Sequence, residues 1–301
     1  MPTRALRVVS PLAALVYPWL VALGPGLWRP LLGLALLVPA IAVYASLRLG
    51  DSDARAARGV AFAAVGAPAL FSLLGGLLDF QRALPVKDLT VWVPLWLVLA
   101  AIAWREPAVP RTSTSRGPGR LAIVHGIAAL PVIGFALLHV VNHLCGLAGG
   151  AVHLRVMHAL RGVYRDRLGE PVLLACVAIL ALTGVALVGR RLARRTTPVE
   201  TLQTAAGAYM ALFFASHVTA VLRARGRGVA TDWQWLVGSD LLRDAWSARL
   251  VPYYLLAVIA LAVHVGCAVR AVTGRRGVLA AATALGAASA VAIIAGLIRG
   301  S

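Results

Sequence analysis

Charge is scarce in this sequence, and lysine is almost absent. Only 13% of the 301 residues are Asp, Glu, Lys or Arg, while 60% are hydrophobic. Lys87 is the single lysine, so the formal net charge of +18 rests on arginine. That composition excludes an ordinary soluble domain and describes an integral membrane protein built of helices. A β-barrel would alternate polar and apolar residues in short segments, whereas these apolar runs are continuous. The arginines fall between the runs, which reads as topology and headgroup anchoring and not as a nucleic-acid surface. Cysteine is rare too: Cys145, Cys176 and Cys267 all lie in apolar runs, and no C-x-x-C occurs. A disulfide framework, a zinc knuckle and a C-x-x-C-H covalent haem site are thereby excluded. There is no nucleotide-binding glycine motif, nucleophile elbow or H-E-x-x-H, which argues against an independent soluble-type enzyme.

What is present is a series of nine apolar stretches, each near the roughly 20 residues that cross a bilayer. They run over 8–23, 30–49, 59–78, 89–104, 121–146, 171–189, 202–222, 252–271 and 278–298. Arg4 and Arg7 precede the first, as in a signal peptide, but no small-x-small cleavage site follows, so a retained helix is expected. Residues 105–120 are basic and rich in Pro, Ser and Gly, the clearest internal boundary. The expected organisation is a four-span region 1–104, a basic cytoplasmic linker 105–120, a four-helix region 121–272 and a last span 273–301. Most arginine clusters fall on one side of this arrangement, which the positive-inside rule makes cytoplasmic, with the N-terminus inside. The expected location is the plasma (inner) membrane of a bacterium. Two connections, AVHLRVMHALRGVYRDRL and WQWLVGSDLLRDAWSARL, mix apolar and basic residues at helical spacing, as interfacial helices do.

Histidine is distributed unevenly. All seven (His125, His139, His143, His153, His158, His217 and His264) come after residue 120. An imidazole at bilayer depth is costly unless it faces a partner inside the bundle, so those within spans are functional candidates. An internal repeat supplies the partner. A shift of 78 residues lays Phe135 on Phe213, His139-Val140 on His217-Val218 and Leu144 on Leu222. A shift of 82 lays Leu160-Arg161 on Leu242-Arg243, Arg167-Leu168 on Arg249-Leu250 and Gly184 on Gly266. Spans five–six and seven–eight then read as two copies of one hairpin, forming a four-helix bundle with His139 and His217 level across it. Two neutral imidazoles with no carboxylate or thiolate beside them suit axial ligation of a b-type haem, whereas zinc would recruit Cys or a carboxylate. The bland alternative is a pair of core histidines bonded to backbone or to each other. His143, one turn from His139, is an alternative ligand or a propionate partner. His125 lies about 21 Å up the same helix and on much the same face, and a second site there has only His264 for a partner. His153 and His158, in the interfacial stretch, are expected to be solvated. Asn142 is a candidate donor to an imidazole or propionate, or to a neighbouring helix.

At these residues the chain resembles the cytochrome b subunit of succinate dehydrogenase and fumarate reductase. LQTAAGAYMALFFASHV is similar to that family's first helix, with Gly207 ahead of the deep His217, and AVHVGCAVR is similar to its second, with His264, Gly266 and Arg270 in order. The resemblance covers about residues 121–272. It implies a haem b between His139 and His217, a second haem for which His264 is a surviving ligand, quinone as electron exchanger and redox partner subunits. The four N-terminal spans have no counterpart there. The family's early serine and arginine fall on Thr204 and Ala205, and Leu182 stands where a ligand is expected. On this reading the chain is at most the membrane subunit of an oxidoreductase complex. The competing readings are a transporter whose intramembrane histidines relay protons, for which Pro131 in span five speaks, and a non-catalytic membrane scaffold.

Overall fold

The computed structural model describes residues 4–22, 28–50, 54–80, 88–107, 119–237 and 245–300. Among them there are thirteen α-helices and no strand. They are α1 (Arg4–Ala22), α2 (Trp28–Arg48), α3 (Arg55–Val65), α4 (Ala67–Phe80), α5 (Asp88–Arg105), α6 (Arg120–Cys145), α7 (Gly150–Tyr164), α8 (Gly169–Leu192), α9 (Pro198–Gly226), α10 (Trp233–Val237), α11 (Ala245–Ala248), α12 (Leu250–Thr273) and α13 (Gly277–Gly300). Six of them, α1, α6, α8, α9, α12 and α13, are long and apolar enough to cross a membrane. The chain is an integral membrane protein of the all-helical class.

Each of the nine expected stretches falls on helix, but they are not nine equal spans. The apolar parts of α2 and α5 are shorter, and the third stretch is broken into α3 and α4 with a bend of 69°. Pro68 accounts for the break. It has no N–H to give the Ala64 carbonyl, and its ring crowds the turn before it. Gly66 at the corner lets α9 approach, since a Cβ there would lie 2.3 Å from Leu212 Cδ1.

The N-terminal helices pack as a dense aromatic unit. Tyr17, Trp92 and Trp96 are fully buried, and Trp92 meets Phe71 edge-on at 5.3 Å and Trp96 at 5.5 Å. Proline directs this packing as well. Pro18 in α1 cannot donate to the carbonyl of Ala14, and Trp92 Nε1 donates to that oxygen instead, at 3.0 Å. Glu106, just beyond α5, accepts from the backbone N–H groups of Ala56 and Ala57 at 2.5 and 2.9 Å, placing a carboxylate at the N-terminus of α3. Arg58 in α3 departs from its expected role as a headgroup anchor. It is completely buried, donates to Thr201 Oγ1 at 2.8 Å and to Thr196 Oγ1, and so ties α3 to the start of α9. Burial of a guanidinium among hydroxyls at a helix start is a structural use of charge. One hydrophobic core runs through this unit and into α9 and α12, so the N-terminal helices and the second hairpin share their interior.

The C-terminal part is a ring of helices. α6 packs on α8, α8 on α9, α9 on α12, α12 on α13, and α13 returns to α6. Five helices close the ring where four were expected. The last helix is wedged between α6 and α12 because glycine and alanine let it approach: a Cβ on Gly286 would lie 2.4 Å from Ala262 Cβ. The outer face of α8 carries Leu182 and Val185, 75% and 71% exposed, as a lipid-facing surface does. α9 starts on a capping box, with Thr197 accepting from Glu200 N–H, Glu200 reaching back to Thr197 N–H, and Pro198 in the first turn. α12 ends at Gly274 with φ +70°, a left-handed position that favours glycine. α7 lies between α6 and α8 as an additional helix. The matching connection before α12 contains α10 and α11, while residues 238–244 between them lie outside the described residues.

Candidate functional site

The ring, together with α7 and α10, borders a partly open cavity of about 250 Å³, far more than the 10–15 Å³ that one water needs. Its body is apolar, with Val132, Leu174, Val177, Phe214, Val218 and Leu261 on the wall. Four imidazoles line one end: His139 and His143 of α6, His153 of α7 and His217 of α9. The ring centroids of His139 and His217 are 6.1 Å apart at 64°. Each is backed by the phenylalanine one turn earlier: Phe135 stacks on His139 at 5.3 Å and 21°, and Phe213 on His217 at 5.1 Å and 10°. The residues that the 78-residue shift aligns therefore share a side-chain arrangement as well as a sequence. Tyr164 meets Phe135 edge-on at 4.9 Å, and Tyr254 meets His217 edge-on at 6.2 Å.

His143 is committed to His139, Nε2 to Nε2 at 3.1 Å. One of those nitrogens must carry the proton and the other accept it. His153 was expected to be solvated and is not. It is 2% exposed and lies tilted against Trp233, with centroids 4.8 Å apart. Asn142 Nδ2 donates to its Nε2 at 3.1 Å, which joins α6 to α7. A helix-spaced polar residue placed beside Gly149–Gly150 can turn inward because Trp233 folds over that turn: a Cβ on Gly150 would lie 2.6 Å from the Trp233 ring. Burial pushes the His153 imidazole below its ordinary value, the nearby Arg161 charge adds to this, and Asp232 opposes it. His158 is exposed, as expected.

A second pair of imidazoles lies outside the cavity. His125 and His264 have ring centroids 6.3 Å apart at 63°. Fourteen residues separate His125 from His139, so this pair sits about 21 Å along α6 from the first. Here the tautomers are fixed by neighbours. Thr183 Oγ1 donates to the Ile179 carbonyl at 2.6 Å, so it accepts from His125 Nδ1–H at 2.8 Å. His264 Nδ1–H donates to the Gln203 carbonyl at 2.9 Å. Both rings are left with the lone pair on Nε2, the arrangement that neighbours give a metal-binding imidazole. Gly207 makes room for His264, since a Cβ there would come within 2.9 Å of its Cε1. Thr204, the residue nearest the quinone-associated position of the resemblance, spends its hydroxyl on the Glu200 carbonyl at 2.7 Å.

The structure also brings in residues that the sequence did not mark as a site. Arg161, Arg165, Arg225, Glu170, Thr231 and Asp232 line the α7 end of the cavity. Of these only Arg161 falls in a matched pair of the repeat, and the basic stretch around it reads equally well as an interfacial helix. Buried polar atoms without a protein partner also gather here: Asn142 Oδ1, His143 Nδ1, His153 Nδ1, Arg161 Nε and Arg165 Nε. Such atoms are costly unless a ligand or water completes them. Among the described residues no group of three or more His, Cys, Asp or Glu is arranged to hold a bare metal ion.

The fold and the site together define an integral membrane protein with an intramembrane cavity walled by imidazoles. Comparison with protein-family models, with curated proteins and with solved structures finds no match to this chain.

Proposed function

We propose that the chain is a membrane electron-transfer subunit that binds b-type haem between α6 and α9, where His139 and His217 would hold it. The observation that carries this reading is the spacing of the two imidazole pairs, 6.1 and 6.3 Å between ring centroids. Two imidazoles at roughly this spacing could share one iron between them, at metal–nitrogen bonds of about 2 Å. Two ligands are too few for a bare transition ion, which ordinarily takes four or more, whereas a porphyrin brings four nitrogens of its own. The cavity between α6 and α9 is apolar in its body and cationic at one edge, which matches an apolar macrocycle with acidic substituents at one side. His139 would hold the haem through the same Nε2 that now bonds His143, and His143 would then be free to face the cavity.

Haem, when bound, supplies one-electron chemistry through its ferric and ferrous states. The residues of the chain do the rest. Phe135 and Phe213 hold the two imidazoles in place, and the apolar wall lowers the polarity around whatever is bound and so shifts the balance between its charge states. His125 and His264 would be the residues to hold a second haem, if the side chains packed around them gave it room. Exchange of electrons with a quinone and with partner subunits completes the reading by its likeness to the succinate dehydrogenase cytochrome b subunit, while a nine-span topology with a cytoplasmic N-terminus rests on the apolar runs and the arginine distribution. The transporter reading draws on the broken span α3–α4, but no residue of α3 or α4 lines the histidine cavity.

The test is a reduced-minus-oxidised visible spectrum of protein purified from haem-sufficient cells. A b-type signal that His139→Ala and His217→Ala each diminish is the expected result. A wild-type protein that carries no haem after such expression overturns the proposal.

A further inference from the structure

The α7 end of the cavity holds three guanidinium groups and two carboxylates, but the pairing is uneven. Arg225 is ion-paired with Glu170, its Nη2 lying 3.1 Å from Glu170 Oε2. Asp232 accepts from the backbone N–H of Trp235 at 3.1 Å, at the start of α10. Arg161 and Arg165 have no carboxylate within ion-pairing distance among the described residues. Each is instead pinned to Thr231. Arg161 Nη2 donates to the Thr231 carbonyl at 2.7 Å, and Arg165 Nη2 donates to Thr231 Oγ1 at 3.1 Å. One residue thus fixes two cations one helical turn apart, with the Nε of both buried and unsatisfied. Burial and then the Arg161 charge lower the Arg165 guanidinium from its ordinary value, with Arg225 adding to this and Tyr164 and Glu170 opposing it. Two like charges are thus held together at a half-buried site with Glu170 near Arg165 but, among the described residues, no carboxylate in direct contact with either. The same end of the cavity is continuous with the imidazoles: Arg165 lies over Tyr164 at 5.9 Å, Tyr164 abuts Phe135, and Phe135 stacks on His139.

We infer that Arg161 and Arg165, set by Thr231, form a clamp for the anionic oxygens of an amphipathic ligand whose apolar body fills the cavity. Resting on the haem reading above, the clamp receives the two propionates of the macrocycle bound by His139 and His217. The shared chemistry is a guanidinium pair meeting carboxylate or phosphate oxygens, so the headgroup of an anionic lipid is the other source of such a ligand. Arg225 is not part of the clamp, because Glu170 already neutralises it.

The test uses the full-length protein in detergent, stripped of haem and titrated with either haem or its dimethyl ester, which lacks both carboxylates. Wild type is expected to bind the ester more weakly than haem by about tenfold or more, as loss of charge-assisted hydrogen bonds implies. In Arg161→Gln/Arg165→Gln that discrimination is expected to disappear, with the ester bound as well as by wild type. Equal binding of the two by wild type, with haem still bound, overturns the clamp and leaves the haem site standing. Failure of wild type to bind either one overturns both. Lipid mass spectrometry of the same samples separates the sources. Loss of a co-purifying anionic lipid from the double variant, with the preference for haem over its ester unchanged, assigns the arginines to a headgroup and overturns the propionate clamp.

Discussion

The two imidazole pairs of this protein have nearly the same separation but are prepared in opposite ways. His139 and His217 border a cavity and an arginine-lined edge, yet His139 shares its Nε2 with His143. His125 and His264 have no share in that cavity, yet each has its Nδ1 bonded to a fixed acceptor. One site has the space and the other has the set tautomers. The difference teaches what each requires. A ligand at the first pair gains room and counter-charge at the expense of one imidazole–imidazole hydrogen bond, worth about 0.5–1.5 kcal/mol net. A ligand at the second pair finds oriented donors but must displace packed side chains, which costs more as the packing is tighter.

The largest effect expected from this contrast is a clean separation of signals. If both pairs hold haem, His217→Ala removes one component of a redox titration followed by visible absorbance, and His264→Ala removes the other. A single component, lost in His217→Ala and unaffected by His264→Ala, restricts haem to the pair that has the cavity. A component lost in His264→Ala alone reverses the comparison, making preset tautomers matter more than preset space.

A smaller effect is expected from the neighbours of the second pair. Thr183→Val keeps the shape of the side chain and removes the acceptor that fixes His125. Loss of such an orienting partner ordinarily weakens metal binding by about 10- to 100-fold. Haem occupancy of the His125/His264 component should fall accordingly, while the His139/His217 component is unchanged. Equal loss at both would mean that Thr183 acts on the bundle as a whole and not on one ligand.

Much of the fold was legible in the sequence, and the reason is the solvent. In a bilayer every backbone polar group must be satisfied within its segment, so continuous apolar runs become helices. The nine runs all fall on helix for that cause. The position of α13 was not legible: a small-residue surface such as Gly286 reads the same whether it faces lipid or another helix. The break at Gly66 was hidden for a similar reason. Hydropathy is blind to a proline whose effect is local, and Pro131 in α6 sits in an unbroken helix while Pro68 accompanies a 69° bend. At the site, repeat arithmetic aligned His139 with His217, and their rings are 6.1 Å apart. Burial of His153 was not foreseeable, since it depends on Trp233, about 80 residues later, folding over Gly150. Arg161 and Arg165 escaped notice because an arginine in an interfacial helix has the same pattern whether its head meets water or a ligand.

The smallest expected effect concerns the repeat itself. Phe135 and Phe213 are equivalent in sequence and stack on equivalent histidines, so a strict repeat predicts equal losses on substitution. Their surroundings are not equal. Phe135 has one other aromatic neighbour, Tyr164, whereas Phe213 also meets Tyr253 at 4.7 Å and Phe214 at 6.1 Å. Aromatic pairs contribute about 0.5–1.5 kcal/mol each beyond area burial. Phe135→Leu is therefore expected to cost about 1–2 kcal/mol and Phe213→Leu roughly 1 kcal/mol more, read from denaturant midpoints in one detergent. Equal costs would place both phenylalanines in a symmetric site. A larger cost for Phe135→Leu would mean that the more exposed α6–α8 hairpin carries more of the site's stability than the α9–α12 hairpin that shares the N-terminal core.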